Sequence, residues 1–202
     1  MIKNLILDFG DIFINLNKSA TTKAMKQYGF SEITPELDNL FKDYEKGLVT
    51  SDSFLKTTQR LFPRATKTDL KNAWNAILLD FPDYRLEFLE KLAASKKYRL
   101  FLLSNTNDIH IEFVKAQMGT QKYERFKNCF EVFYLSYEIG MRKPDSEIFE
   151  FVLKENNLIA EETLFVDDTR ENTDVAHLLR IQTWNLIPEK EDITSLKSKL
   201  QC

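Results

Sequence analysis

At 202 residues, 43% of them hydrophobic and sixteen of them phenylalanine, the chain can bury one substantial core or a core with a small insert. A net charge of −3 without a block of basic residues argues against nucleic acid as a partner, and no apolar run approaches the roughly 18 to 20 residues of a membrane span. The first residues enter strand-like sequence without signal-peptide features, and Cys129 and Cys202 lack metal-ligand spacing, so a reduced, cytoplasmic protein is expected.

Leu5-Ile6-Leu7 is a short apolar run with no helical spacing, as in a strand buried on both faces of a parallel sheet. It stops at Asp8, and Gly10 then permits a sharp turn. Residues 18–80 change texture: Thr21–Tyr28, Pro35–Tyr44, Ser53–Phe62 and Asp69–Leu79 read as four helices, punctuated by Gly29, Gly47 and Pro63. Thr50-Ser51-Asp52 supplies capping oxygens ahead of the third. This all-helical block reads as an insert, residues 15–83, in a core made of residues 1–14 and 84–202. A helix from Tyr84 precedes a second buried strand, Tyr98–Leu103, which ends in Ser104-Asn105-Thr106-Asn107. A helix over Asp108–Met118 and a strand over Val132–Leu135 follow, then the loop Glu138–Asp145, with Asp145 at the N-cap of a helix Ser146–Asn156. The strand Thr163–Val166 ends in Asp167-Asp168, a helix runs over Arg170–Leu179, and Gln182–Leu186 forms a fifth strand before a polar C-terminal helix. Strands alternating with helices imply an α/β fold with a parallel sheet and right-handed crossovers. His110 and His177 read as helix-surface residues, Tyr123, Phe126, Phe130, Phe133, Tyr134 and Tyr137 as core, and Glu189–Lys199 as a solvated helix face.

Asp8, Ser104 with Asn105, Lys143, and Asp167 with Asp168 all belong to one edge of such a sheet. Each alone has a plain structural reading as a turn residue, helix cap or solvated lysine. Together, at the carboxyl ends of strands where open α/β sheets bind ligands, they point to a site. In this order the motifs resemble the haloacid dehalogenase superfamily of hydrolases over essentially the whole chain: Leu7-Asp8-Phe9-Gly10, Leu103-Ser104-Asn105, Arg142-Lys143-Pro144-Asp145 with Ile148-Phe149, and Val166-Asp167-Asp168 with Asn172. The resemblance implies a Rossmann-like parallel sheet core with helices on both faces and an inserted four-helix cap. Asp-Phe-Gly followed later by Leu-Ser-Asn-Thr-Asn looks most like a branch of sugar-phosphate phosphatases.

Physical chemistry assigns roles along the same lines. Phosphate monoester hydrolysis needs on the order of 20 kcal/mol of barrier reduction, and a carboxylate nucleophile, Asp8, divides it through an aspartyl-phosphate. Oxygen donors from Asp8, Asp168 and a backbone carbonyl suit Mg²⁺, with Asp167 holding a coordinated water. The resemblance assigns the carbonyl to Gly10. Lys143 offers positive charge to Asp8 and the phosphoryl oxygens, Ser104 and the Asn105 N–H donate to the same oxygens, and Asn172 orients the loop after the fourth strand or a water there. The expected activity is Mg²⁺-dependent hydrolysis of a small phosphorylated metabolite, with a sugar phosphate favoured. The alternatives are a haloacid dehalogenase, which the Asp167-Asp168 pair opposes, and a binding or regulatory protein that kept the fold without turnover.

One departure stands out. Phosphatases of this superfamily usually carry a second Asp two residues after the nucleophile, where this chain has Gly10. General acid–base catalysis is worth about 10²- to 10⁴-fold, so its loss needs an answer. Either the leaving group is acidic enough to need little help, as in a sugar 1-phosphate, or Asp11 reaches the leaving oxygen. The competing reading of Asp11 is a turn or capping residue.

Overall fold

The computed structural model describes residues 1–200; the sequence reading of Cys202 lies outside the described residues. Five parallel strands form the sheet: β1 (Asn4–Leu7), β2 (Arg99–Ser104), β3 (Val132–Leu135), β4 (Thr163–Asp167) and β5 (Gln182–Asn185), in the order β3-β2-β1-β4-β5. The chain steps outward from β1 to β3 and then crosses back to β4, so the reversal of strand order falls between β1 and β4. Register pairs Leu7 with Leu102 on one side and with Val166 on the other, which brings the carboxyl ends of β1, β2 and β4 level.

The alternating strand pleat explains the two cores. Leu5, Leu7, Leu100, Leu102, Leu164 and Val166 point to one face, under helices α5 (Asp83–Ala94), α6 (Asp108–Met118) and α7 (Thr120–Lys127). Ile6, Phe101, Leu103 and Phe165 point to the other, under α9 (Ser146–Glu155) and α10 (Arg170–Leu178). Both faces are covered, which is why the strands read as unbroken apolar runs rather than alternating ones. Tyr123, Phe126, Phe130 and Tyr134 are buried, with Phe133 and Tyr137 packed partly against the core. Among the described residues, no helix is long and apolar enough to cross a membrane.

Four helices lie between β1 and α5: α1 (Ala20–Met25, continued by a 3-10 turn to Tyr28), α2 (Pro35–Glu45), α3 (Ser51–Leu61) and α4 (Lys67–Asn75). Thr34, Thr50 and Thr66 cap the last three, Thr66 in a reciprocal box with Asp69. The fourth stops at Asn75 rather than Leu79. Residues 77–80 instead run beside residues 15–17, with Asn17 N donating to Ile77 O at 2.8 Å, Leu79 N to Asn15 O at 2.9 Å and Asn15 N to Asp80 O at 2.9 Å. The helical block thus joins the sheet through two connections zipped into one strap. Arg85, nearly buried, fastens that strap by donating to Phe13 O and Asn15 Oδ1 while its Nε pairs with Asp192 at 2.9 Å. On the opposite side Gly47 lies against the Tyr137 carbonyl; a Cβ there would be 2.2 Å from that oxygen, so only glycine fits.

Other departures from the sequence reading have local causes. Helix α7 and the one-turn α8 (Ser136–Ile139) carry no long periodic signal. Asp145 occupies the N-cap position of α9 without a capping bond, because its carboxylate pairs with Lys46 at 2.7 Å. The C-terminal stretch is a 3-10 turn (Ile193–Ser195) and a single helical turn, α11 (Leu196–Lys199), whose Ile193 and Leu196 are fully buried rather than solvated.

His110 is the clearest departure. Its ring stacks on Trp74 of α4, Nε2 donates to Trp74 O at 3.1 Å, and Nδ1 accepts from the Asn107 amide at 3.2 Å. Burial holds the imidazole neutral and pushes its pKa down to about 4. In the unfolded chain it takes up a proton near 6.5, so the unfolded state binds more protons between these values and stability falls as pH drops from about 6.5 towards 4. Urea unfolding at pH 7.5 and pH 5 should show His110→Gln losing about 2 kcal/mol of the wild-type pH dependence; equal dependence in both proteins would contradict this placement.

Candidate active site

Lys143 is the centre of the carboxyl-end cluster. Only 1% exposed, its ammonium donates to Asp8 Oδ1 at 2.7 Å, to Asp167 Oδ2 at 2.6 Å and to the Leu103 carbonyl at 2.7 Å. All three N–H bonds are therefore used. Burial alone would lower the Lys143 pKa, but the charges of Asp167 and Asp8 outweigh it and hold the side chain cationic. Asn105 fixes the backbone beneath it: Asn105 Oδ1 accepts from Lys143 N at 2.9 Å, and Asn105 Nδ2 donates to Lys143 O at 2.7 Å.

Asp167 is fully buried and its oxygens are engaged. Oδ1 accepts from Thr169 N at 2.8 Å, and Asn172 Nδ2 lies 3.1 Å from both oxygens. Asn172 thus grips Asp167 itself. Asp8 ends β1, its N–H continuing the ladder to Val166 O at 2.9 Å. Burial raises its carboxyl to about 7 against the pull of Lys143, and repulsion from Asp167 and Asp168 adds to the rise. Oxygens of Asp8, Asp167 and Asp168 all lie within 4.8 Å of one another, a hard-donor set with more negative charge than Lys143 neutralises.

The next turn accounts for the two positions after the nucleophile candidate. A Cβ on Gly10 would be 2.8 Å from Leu16 Cδ1, so the space that a side chain there would enter is filled by Leu16. Asp11 has a left-handed backbone, φ 53°, and its Oδ1 accepts from Leu16 N at 2.9 Å. Asp11 is a turn-former in this fold. Its other oxygen lies 3.3 Å from Lys18 Nζ, and the same ammonium donates to Asp168 Oδ2. Burial raises the Asp168 pKa, with Lys18 opposing and Asp167 and Asp11 adding to it.

Asp8, Gly10, Ser104, Lys143 and Asp168 line one cavity of about 590 Å³, closed on its far side by α2 residues such as Lys42. Ser104 ends β2, and the loop after it is held by Ser136, whose hydroxyl accepts from Thr106 N at 2.9 Å and donates to Thr106 O at 3.0 Å. The structure thus brings together every residue that the sequence singled out at this edge except the Asp11 side chain, which lines a neighbouring groove. Lys18 gave no sequence signal, because its ionic partner Asp168 is 150 residues away. The Glu45–Arg142 pair, 2.9 Å, which joins α2 to the Lys143 loop, was equally silent.

The carboxyl edge of the parallel sheet thus sets Asp8 and Asp167 on a buried lysine, with a carboxylate oxygen of Asp168 close by. A sequence profile of haloacid dehalogenase-like hydrolases matches residues 15–177, and the chain belongs to that family. It is 30% identical over 190 residues to a D-ribitol-5-phosphate phosphatase of Bacteroides thetaiotaomicron, covering 91% of both chains. Among solved structures it is similar to a family enzyme of the same bacterium, a substituted form in complex with magnesium and inorganic phosphate, at 36% identity and TM-score 0.85 over 98% of this chain and 99% of that one. A predicted HAD-like hydrolase of Porphyromonas gingivalis matches at 26% identity and TM-score 0.84, over 100% and 99%.

The charge arrangement has a consequence for stability. Lys143→Met would leave Asp8 and Asp167 buried face to face without their cation, and removing one partner of a buried pair costs about 3–5 kcal/mol. Metal-free Lys143→Met should lose that much in urea unfolding at pH 8. The deficit should shrink towards pH 5, where Asp8, whose carboxyl burial raises to about 7, takes up a proton in the folded state. A variant as stable as wild type at pH 8 would show that Lys143 does not neutralise the cluster.

Proposed function

We propose that the protein is a Mg²⁺-dependent phosphatase that hydrolyses a small phosphorylated metabolite, a sugar phosphate foremost, through an aspartyl-phosphate on Asp8. The carrying observation is the contact of Asp8 with the buried Lys143 ammonium at 2.7 Å, beside carboxylate oxygens of Asp167 and Asp168. The similarity to a D-ribitol-5-phosphate phosphatase supports the substrate class, and the similar structure with magnesium and phosphate supports the metal.

The donor set fits the ion. Asp8 and Asp168 offer anionic oxygens and Gly10 a backbone carbonyl on the same cavity, an all-oxygen combination suited to a hard divalent cation, with Asp167 reached through water. When bound, Mg²⁺ supplies the positive charge that lets an anionic phosphate approach an anionic nucleophile. The chain's own residues do the rest. Lys143 fixes one oxygen of Asp8 and leaves the other to attack phosphorus. The Ser104 hydroxyl and the Asn105 backbone N–H donate to the phosphoryl oxygens, whose charge grows in the transition state. Asn172 and Thr169 immobilise Asp167, which keeps Lys143 in line. Residues 15–83 act as a cap that excludes water and holds the organic part of the substrate over the sheet edge.

The rival enzyme reading, a dehalogenase, has no use for the clustered carboxylates. The non-catalytic reading rests on Gly10. A screen of phosphorylated metabolites with and without Mg²⁺, with Asp8→Asn as the blank, separates them. Sugar phosphates should release phosphate only with Mg²⁺, and Asp8→Asn should reduce the rate at least about 10³-fold. Full activity in excess chelator would overturn the metal assignment. Inertness towards every phosphate ester would leave the non-catalytic reading.

A further inference from the structure

We propose that Lys18 is a catalytic residue of this phosphatase, donating to the leaving ester oxygen from the side of the cavity where Gly10 leaves no acid; the proposal rests on the phosphatase reading above. Lys18 lines three cavities, two of which lie where the substrate would sit. One is the polar cavity of Asp8, Lys143 and Asp168, and the other, about 210 Å³, lies inside the helical block among Thr22, Met25, Phe41, Trp74 and His110. Among the described residues, Lys18 alone lines both. A phosphomonoester with phosphorus at Asp8 and its organic group in the helical block has its bridging oxygen at the junction, beside Lys18.

The other candidates are occupied. Asp11 is bound to Leu16 N through one oxygen and faces Lys18 with the other. Lys143 has spent all three N–H bonds. The remaining cations of the polar cavity are paired away from the carboxylate cluster: Lys42 with Asp38, Lys46 with Asp145, and Arg142 with Glu45. Lys18 contacts Asp168 and Asp11, which leaves one N–H for a ligand. Asp168 also fixes its location, since an Asp168 oxygen lies within 4.8 Å of one from Asp8.

The step is an in-line displacement. An Asp8 carboxylate oxygen bonds to phosphorus as the P–O ester bond breaks, and the electron pair of that bond moves to the leaving oxygen. Lys18 stabilises this oxygen by a charge-assisted hydrogen bond, and water supplies the proton that completes the alcohol. The benefit is greatest for poor leaving groups, which carry the most negative charge at that oxygen.

A series of phosphate esters from 4-nitrophenyl through phenyl to simple alkyl, assayed with Mg²⁺, tests this. Wild type should depend only shallowly on leaving-group acidity. Lys18→Met should lower kcat/KM about 10²-fold for alkyl esters and less than about threefold for 4-nitrophenyl phosphate, with Lys18→Arg restoring much of the alkyl activity. A uniform loss across the series, or no loss, would overturn the role. Should Lys18→Met fail to fold, the slopes of wild type and Asp11→Asn decide: both shallow supports Lys18, whereas a steep wild-type slope, or a steep slope only in Asp11→Asn, overturns it. Hydrolysis of none of the esters by wild type would remove the phosphatase reading, and this proposal with it.

Discussion

A lysine ammonium sealed into the carboxyl edge of a parallel sheet is the constraint on which this structure turns. An ion as buried as Lys143 is tolerated only when its desolvation is offset by partners of excellent geometry, and here they are Asp8, Asp167 and the Leu103 carbonyl. Each comes from the end of a different strand, β1, β4 and β2. The lysine itself arrives from the loop before α9. The contact therefore exists only if the three strands are level, and their register makes them so. Fold and site are in this sense one arrangement. The apolar runs bury themselves on both faces and stop together, and at those stops Asp8, Asp167 and the Leu103 carbonyl face the same cation.

That arrangement still leaves negative charge in excess. Asp168 takes no part in the Lys143 contact and is met instead by Lys18, the residue next after the strap leading into the helical block. The strap is a paired connection pinned to the core by Arg85, which donates to Phe13 O and Asn15 Oδ1. Elsewhere the block is held to the core by polar contacts of named groups. Tyr44 donates to Asp108 at 2.6 Å, Trp74 Nε1 to Asn107 at 3.2 Å, and Arg142 pairs with Glu45. These contacts hold the helical block over the carboxyl edge of the sheet.

The sequence carried the sheet and the polar edge well, for a physical reason. A strand buried on both faces must be apolar throughout, and a polar residue that ends it is visible as a break, which is how Asp8, Ser104 and Asp167 were legible. The helices of the inserted block were legible from periodicity and, for the third, from its Thr50 cap, and helix ends were less so. Leu78 and Leu79 continue the apolar spacing of α4, yet they serve the strap, whose pairing with residues 15–17 is a tertiary event. His110 looked like a surface histidine because its partners, Trp74 and Asn107, meet only when α4 packs against the N-terminus of α6. Lys18 was invisible on the same grounds, being one lysine among many until Asp168 lies next to it. Gly10 was visible as a missing carboxylate, whereas Leu16 standing against its Cα needed coordinates.

The central claim is that Asp8 takes the phosphoryl group. Rapid acid quench during turnover of a hydrolysed ester, followed by peptide mass spectrometry, measures this directly. A phosphoryl adduct on the peptide containing Asp8, formed only with Mg²⁺ and chased by unlabelled substrate, is the predicted result. Steady phosphate release with no adduct on that peptide, or with the adduct on another residue, would contradict the account.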